Sequence, residues 1–294
     1  MTSKLRSIVL GLALLAPSVL LLGAFTVWPV LQTIINSFFR RNAATRGQPV
    51  WDGLGNFTRL FEDDQFIKVL GNTLLLVLIS VPISLVLAFL VAVLLNQKIR
   101  GIGWLRSGIF YPTVLPMVSA ATIWLLLYNV DFGLINSVFK ALGGSPQNFL
   151  GSSTLVLPAI CVMLIWKQTG FLMVFYLAGL QGLPTDVMEA ARLDGAGRLQ
   201  TLRHVSLPLL RGTTVFITTI AVTGAFQTVD QLYVMTQGGP NNASNLLLFN
   251  IYETNFRFQD TGSAYAQTTI LLALLLVFTI INAVVSDRRS HDAT

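Results

Sequence analysis

Few residues in this 294-residue chain have the type and spacing to do chemistry, and those that do fall in two places. The first is a polar stretch, residues 183–208, lying between two apolar runs. It holds Glu189-Ala190-Ala191, Asp194-Gly195-Ala196 and Leu207-Pro208. Pro184 suits a first helical turn, and Asp186 and Glu189 put negative charge near that helix's positive end. Ala190 and Ala191 leave room for another backbone to approach. Asp194-Gly195 suits a tight turn that needs a positive φ. A second short helix follows, with Leu199, Leu202 and Val205 on one stripe, and Leu207-Pro208 breaks it. The pattern is a helix-turn-helix lever, and its bland reading is a capped connector in which Glu189 only completes a helix start.

The second place is inside the apolar runs themselves. Gln168 and Thr169 sit near the middle of one run. In the next, Thr219, Thr223 and Gln227 recur every four residues, with Asp230 three further on, so they share a helix face. Polar residues in such runs are costly and usually face a bundle interior or a water-filled cavity. These two faces are candidates for lining a solute pathway, with the rings of Phe171, Phe175 and Phe226 as apolar surfaces for stacking. The alternative is that the threonines bond one helix to another. Lys167 and Asp230, at about 25 Å and about 31 Å from one membrane face at 1.5 Å per residue, are expected to pair, unless either snorkels alone to the headgroups. Other chemistries find no support. His204 and His291 match no metal spacing, Cys161 is a lone cysteine in an apolar run, and no Gly-x-x-x-x-Gly-Lys-Ser/Thr loop is present to cradle nucleotide phosphates. Gly195-Ala196-Gly197 lacks the rest of a dinucleotide fingerprint and reads as a turn. No paired catalytic carboxylates or Ser/His/Asp set lies within the runs.

The elements that must position these residues follow from composition. The chain is 53% apolar and 11% charged, against about 25% charged in a soluble domain. Apolar runs of roughly 18 or more residues are long enough to cross a bilayer, and six emerge: 8–30, 69–95, 105–128, 154–182, 209–235 and 264–285. They are continuous and lack two-residue alternation, so the fold class is all-α and polytopic, not a barrel. The chain reads as one transmembrane domain, 1–294, with the 183–208 loop between the fourth and fifth spans. The first run follows Lys4 and Arg6 like a signal peptide, but it is longer than usual and leads into Trp28-Pro29 without a small-residue cleavage site, so it is expected to be retained.

Loop charge sets the expected orientation. One set of loops holds Lys4, Arg6, Lys98, Arg100, Arg106, Arg192, Arg198, Arg203, Arg211, Arg288 and Arg289. The other holds Arg40, Arg41, Arg46, Arg59, Lys68, Lys140 and Arg257, offset by seven acids. The first set is therefore expected to be cytoplasmic, with both termini inside. The arginine-rich first outer loop weakens the bias. The net charge of +6 reads as topology and not as nucleic-acid binding.

The 183–208 segment resembles the EAA loop of permease subunits of ATP-binding-cassette importers, in which Glu-Ala-Ala, Asp-Gly-Ala and a closing Leu-Pro recur at the spacing found here. Further stretches resemble permeases of the maltose and glycerol-phosphate type: Gly53-Leu54-Gly55-Asn56-Phe57, Asn72-Thr73, Trp166-Lys167, Ala178-Gly179-Leu180-Gln181 and Thr236-Gln237-Gly238-Gly239-Pro240. The last points to the first of the two permeases such systems pair. Leu202, His204 and Gly212 depart from the residues frequent in the family, an aromatic, a lysine and a second proline.

The resemblance implies a bacterial inner-membrane, multi-pass importer subunit for a sugar or related small polyol, glycerol-phosphate included. Glu189, Ala190, Ala191, Asp194, Gly195, Ala196, Leu207 and Pro208 would form a coupling helix and its flanks, seated in a groove of a cytoplasmic ATPase. The implied partners are a second permease, two copies of that ATP-binding subunit, an extracytoplasmic substrate-binding protein and membrane lipid. This chain would bind no cofactor and hydrolyse nothing itself, ATP and magnesium residing in the partner. A self-contained secondary carrier is the alternative. It would favour internal repeats and a coupling-ion site, and would leave the EAA-type loop without a role.

Overall fold

A computed structural model describes residues 11, 14–97 and 100–291. Lys4, Arg6, Lys98 and the start of the first run at Ile8 lie outside the described residues, as do the side chains of Arg192, Arg288 and Arg289. Apart from one short hairpin, the described secondary structure is helical, as it must be where lipid offers the backbone no hydrogen bonds. Among the described residues five helices are long and apolar enough to cross a membrane, and a bent pair of helices gives a sixth if it is counted as one span. The chain divides into two compact units, 1–63 with 251–272, and 64–250 with 273–294.

In the first unit, α1 (Leu14–Asn36) carries a π-helical stretch at Gly23–Val27. None of its most apolar 18 residues is buried. A small hairpin follows, β1 (Phe39–Arg40) antiparallel to β2 (Val50–Trp51) with Phe39 opposite Trp51. Then comes α2 (Gly55–Glu62). Asn56 is fully buried and its amide donates to the carbonyls of Ser37 (2.8 Å) and Phe39 (2.9 Å), tying α2 to the hairpin. The unit closes with the first turns of α13 (Thr261–His291), where the Gly262 amide donates to the Arg41 carbonyl. A Cβ at Gly262 would lie 2.7 Å from the Phe39 carbonyl oxygen, so only glycine allows this approach.

The second unit is built on α3 (Asp64–Leu95) packed along α7 (Val156–Gln181). Ser80, Ser84, Ala88 and Ala92, four residues apart on α3, are all fully buried. Such a ridge of small side chains lets membrane helices approach closely. Pro82 lies inside α3 without interrupting it. The third span, read from sequence as one run 105–128, is two helices, α4 (Ile102–Val114) and α5 (Met117–Leu127), bent by 102° at Leu115-Pro116. The cause is local: Pro116 has no N–H to donate back to Pro112, and the ring disfavours helical geometry at Leu115, whose ψ is 133°. A short amphipathic helix, α6 (Leu134–Ala141), precedes α7. After α7 come α8 (Thr185–Leu193) and α9 (Arg198–Thr201), the latter running on through a π-helical stretch Leu202–Ser206. The fifth span consists of α10 (Arg211–Phe226) and α11 (Asp230–Met235), interrupted at residues 227–229.

Asn72-Thr73, quoted above for its resemblance, meets in this unit the residues that follow Thr236-Gln237-Gly238-Gly239-Pro240. Asn72 on α3 donates to the carbonyls of Asn242 (2.9 Å) and Asn245 (3.1 Å), Lys68 donates to that of Asn241 (2.7 Å), and the Leu247 amide, opening α12 (Leu247–Tyr252), donates to the Thr73 hydroxyl (2.8 Å). The start of the second span thus holds the segment 241–247 that follows the Gly238-Gly239-Pro240 turn.

Candidate functional site

The 183–208 segment folds as a helix, a tight turn and a second helix. The Asp194 amide donates to Ala190 (2.9 Å) and the Ala196 amide to Ala191 (3.0 Å), with Gly195 at φ +76°. The second bond, together with the left-handed glycine, is a Schellman-type stop. It explains the spacing of the two motifs: Ala191 supplies the carbonyl that Ala196 caps, and Gly195 supplies the reversal between them. The next helix starts on Gly197, whose amide donates to the Gln200 side chain (2.8 Å). Thr201 and Ser206 are its buried anchors, and the Leu210 amide returns to the Ser206 carbonyl (3.0 Å), carrying Leu207-Pro208 into the fifth span.

What this lever presents outward is mixed. Glu189, Ala190, Asp194 and Gly195 are exposed, and Ala191, Ala196 and Pro208 are half-buried. Leu193 and Leu199 are 89% and 76% exposed, and Val187 and Leu207 are exposed too. The lever thus holds apolar side chains open beside three exposed carboxylates, Asp186, Glu189 and Asp194. Behind it, a groove of about 490 Å³ runs between the end of α3 (Val93, Asn96, Gln97) and Met188, Arg198 and Leu202 of the lever.

The second candidate site is a cavity of about 270 Å³ among α4, α5, α7 and α10. Its α7 wall is Leu164, Lys167, Gln168, Phe171 and Leu172. Thr113 and Met117 line it from either side of the third-span break, and Ile220, Ala221 and Gly224 line it from α10. Phe171 stacks edge-on against Phe175 (5.2 Å between centroids), and Phe175 against Phe216 of α10 (5.8 Å), extending the aromatic wall. The Gln168 side-chain oxygen and the Thr169 hydroxyl are buried without a protein partner among the described residues. Gly170 faces α4, where a Cβ would collide with the Ile109 carbonyl oxygen.

Several residues read from sequence as one lining face are placed apart. Gln168 and Phe171 line the cavity. Thr219 instead accepts a hydrogen bond from Asn282 of α13 (2.7 Å), which also donates to Val215 (3.1 Å). Thr223 is half-buried, Gln227 and Asp230 are exposed at the interruption of the fifth span, and Phe226 is buried in the core. The α10 residues at the cavity are one position away from the polar set. Apart from Gly224, a small residue opposite Gln168, nothing in their types distinguishes them from core.

The expected Lys167–Asp230 pair is not formed. The Lys167 ammonium donates to the carbonyls of Pro112 (3.1 Å) and Leu115. Among the described residues the ion pairs are Arg59–Asp52 and Arg257–Glu253. The reason is the break itself. Pro116 leaves the Pro112 carbonyl without its helical donor, and the bend frees that of Leu115, so Lys167 finds two acceptors at a helix C-terminus, where a cation is favoured.

Comparison with known proteins agrees with this architecture. Residues 54–291 match the family described as binding-protein-dependent transport system inner membrane component. A sulfoquinovosyl glycerol transport system permease protein of Agrobacterium fabrum is 33% identical over 273 residues, 92% of this chain and 88% of that one. A trehalose/maltose transport system permease protein of Thermococcus litoralis is 32% identical over 286 residues, 96% and 95%. Among solved structures, a subunit of a bacterial ABC transporter involved in the import of the acidic polysaccharide alginate superposes with a TM-score of 0.83 at 21% identity, covering 97% of this chain and 98% of its own. The match over residues 54–291, with relatives 33% and 32% identical over 92% and 96% of the chain, makes the chain a member of the binding-protein-dependent transport system inner membrane components, a polytopic permease.

Proposed function

We propose that the chain is one of two permease subunits of an ATP-driven importer for a sugar or a related small polyol, with glycerol-phosphate within its chemical range. The relatives are named for such cargo: sulfoquinovosyl glycerol, trehalose and maltose, and, at 28% identity over 96% of the chain, sn-glycerol-3-phosphate in a second Agrobacterium fabrum permease. The observation that carries the reading is the lever. Its Glu-Ala-Ala helix ends in a stop that fixes Leu193 outward, 89% exposed, beside Glu189. A helix-sized apolar tip flanked by the exposed carboxylates of Asp186, Glu189 and Asp194 fits a groove on a separate ATPase, two copies of which would serve the paired permeases. The chain has no glycine-rich phosphate loop of its own, so ATP and magnesium belong to that partner.

In this reading the protein sits in the bacterial inner membrane with the lever and both termini in the cytoplasm, following the basic loops. A binding protein would deliver solute from the other side; one structure of the alginate system is a complex with an alginate-bound periplasmic protein. The path would pass Gln168, Thr169, Phe171 and Phe175 on α7. On α10 and α11, Thr223, Gln227 and Asp230 would be reached as the interrupted fifth span shifts, Thr219 serving to hold α13. Glu189, Ala190, Ala191, Asp194, Gly195, Ala196, Leu207 and Pro208 would transmit closure of the ATPase dimer to spans four and five.

A cross-link tests the lever directly. Cys161 is buried, so Leu193→Cys would supply the accessible thiol. In membranes containing the complete transporter, a short bifunctional reagent should join it to the ATP-binding subunit. Labelling of that thiol from the extracytoplasmic side would reverse the topology and defeat the assignment.

A further inference from the structure

The arginines of the first outer loop run against the charge bias that orients the other loops, and neither the lever nor the solute path uses them. In the first unit two of them, Arg41 and Arg46, line a polar pocket of about 570 Å³ together with Asn42, Asn255, Gln259 and Thr261. The pocket is a built one. The Arg41 Nε donates to the Gly47 carbonyl (2.8 Å), which aims the rest of its guanidinium. Asn42 and Thr45 cap each other through reciprocal bonds of 3.1 and 3.2 Å. The loop is fastened to the start of α13 by the Gly262 amide on the Arg41 carbonyl (3.1 Å). Arg46 and Gln259, both non-glycine, hold left-handed backbone at φ 52° and 55°. That conformation is disfavoured for such residues and concentrates at functional sites. Neither Arg41 nor Arg46 is in an ion pair among the described residues.

The surroundings say which anion fits. The same unit exposes Trp51, a residue type enriched at headgroup level, and the apolar rings of Phe256 and Phe258, at 67%, 69% and 62%. It also contains α1, whose apolar stretch has no buried residue and would lie beside acyl chains. We propose that this pocket binds the phosphate of an anionic phospholipid headgroup, the two guanidinium forks taking the phosphate oxygens while the acyl chains follow α1. The site would fasten the first unit to the lipid surface independently of which solute is carried.

Native mass spectrometry of the full-length protein released from detergent with phosphatidylglycerol tests this. The wild type should retain lipid, Arg41→Gln with Arg46→Gln should lower the bound fraction several-fold, and Arg59→Gln, at the Asp52 pair outside the pocket, should not. Excess inorganic phosphate should leave the lipid bound. Arg46 is exposed and makes no side-chain hydrogen bond among the described residues, so Arg46→Gln alone carries the test if the double variant does not fold. Unchanged lipid retention in these variants would overturn the proposal. So would displacement by phosphate alone, which would make the site one for a free phosphate group. Loss of stimulation by the binding protein with lipid retention intact would overturn it as well, assigning the arginines to protein docking.

Discussion

At the scale of single residues, the chain spends its rare polar groups on holding irregular backbone. Lys167 satisfies two carbonyls that Pro116 and the bend release. Lys167→Met should therefore lower stability in detergent by about 1–3 kcal/mol, the cost of buried acceptors left unmet. The charge-swapped variant, Lys167→Asp with Asp230→Lys, should recover none of it in thermal unfolding; recovery would restore the ion pair the sequence suggested. Combining Lys167→Met with Pro116→Ala, which returns an N–H to Pro112, should be less than additive. Gly170→Leu should cost about 1–3 kcal/mol by overpacking against the Ile109 carbonyl. Much of this was readable as places but not as partners. Asn56, Asn72, Lys167, Gly179 and Gly238 all lie in stretches that stood out in the sequence. Their roles needed coordinates, because the partners lie elsewhere in the chain: Asn72 bonds the backbone of Asn242, Lys167 that of Pro112, and Gly179 admits the Leu210 side chain, which a Cβ there would meet at 2.6 Å.

At the scale of elements, hydropathy located the apolar runs but could not see breaks inside them. Pro82 and Pro116 look alike in an apolar context. Yet α3 runs straight through the first while the third span bends 102° at the second. At the second, Leu115 has left helical geometry at ψ 133°, and Lys167 takes the freed carbonyls of Pro112 and Leu115. The four-residue repeat Thr219, Thr223, Gln227 correctly marked a polar stripe, but period alone does not say what a stripe faces. Part of it faces α13, where Asn282 bonds Thr219. Asn282→Leu should cost about 0.6–2 kcal/mol, the range for interhelical hydrogen bonds in membranes, and leave the lever's accessibility unchanged. The lever was the most legible element, since its motifs specify local geometry: a carbonyl at Ala191, a left-handed Gly195, an amide at Ala196. Gly195→Ala should loosen that stop by about 1 kcal/mol and lower coupling before it lowers insertion, read as ATP hydrolysed per solute carried.

At the scale of the whole molecule, the account depends on work being done on this chain by another. Among the described spans α3 packs most extensively along α7, and α3 carries a buried ridge of small residues. The third and fifth spans are interrupted beside the cavity and at its level of the chain. Interrupted spans change shape at low cost, and the lever joins α7 to the fifth of them. The most direct test is transport by the complete complex in proteoliposomes, with labelled sugar and binding protein on one side and ATP on the other. Wild-type chain should accumulate solute only when the ATPase and ATP are both present, and Glu189→Lys should keep ATP hydrolysis while abolishing accumulation. Solute movement by this chain alone, or normal accumulation with Glu189→Lys, would contradict the claim that the lever couples it to a separate motor.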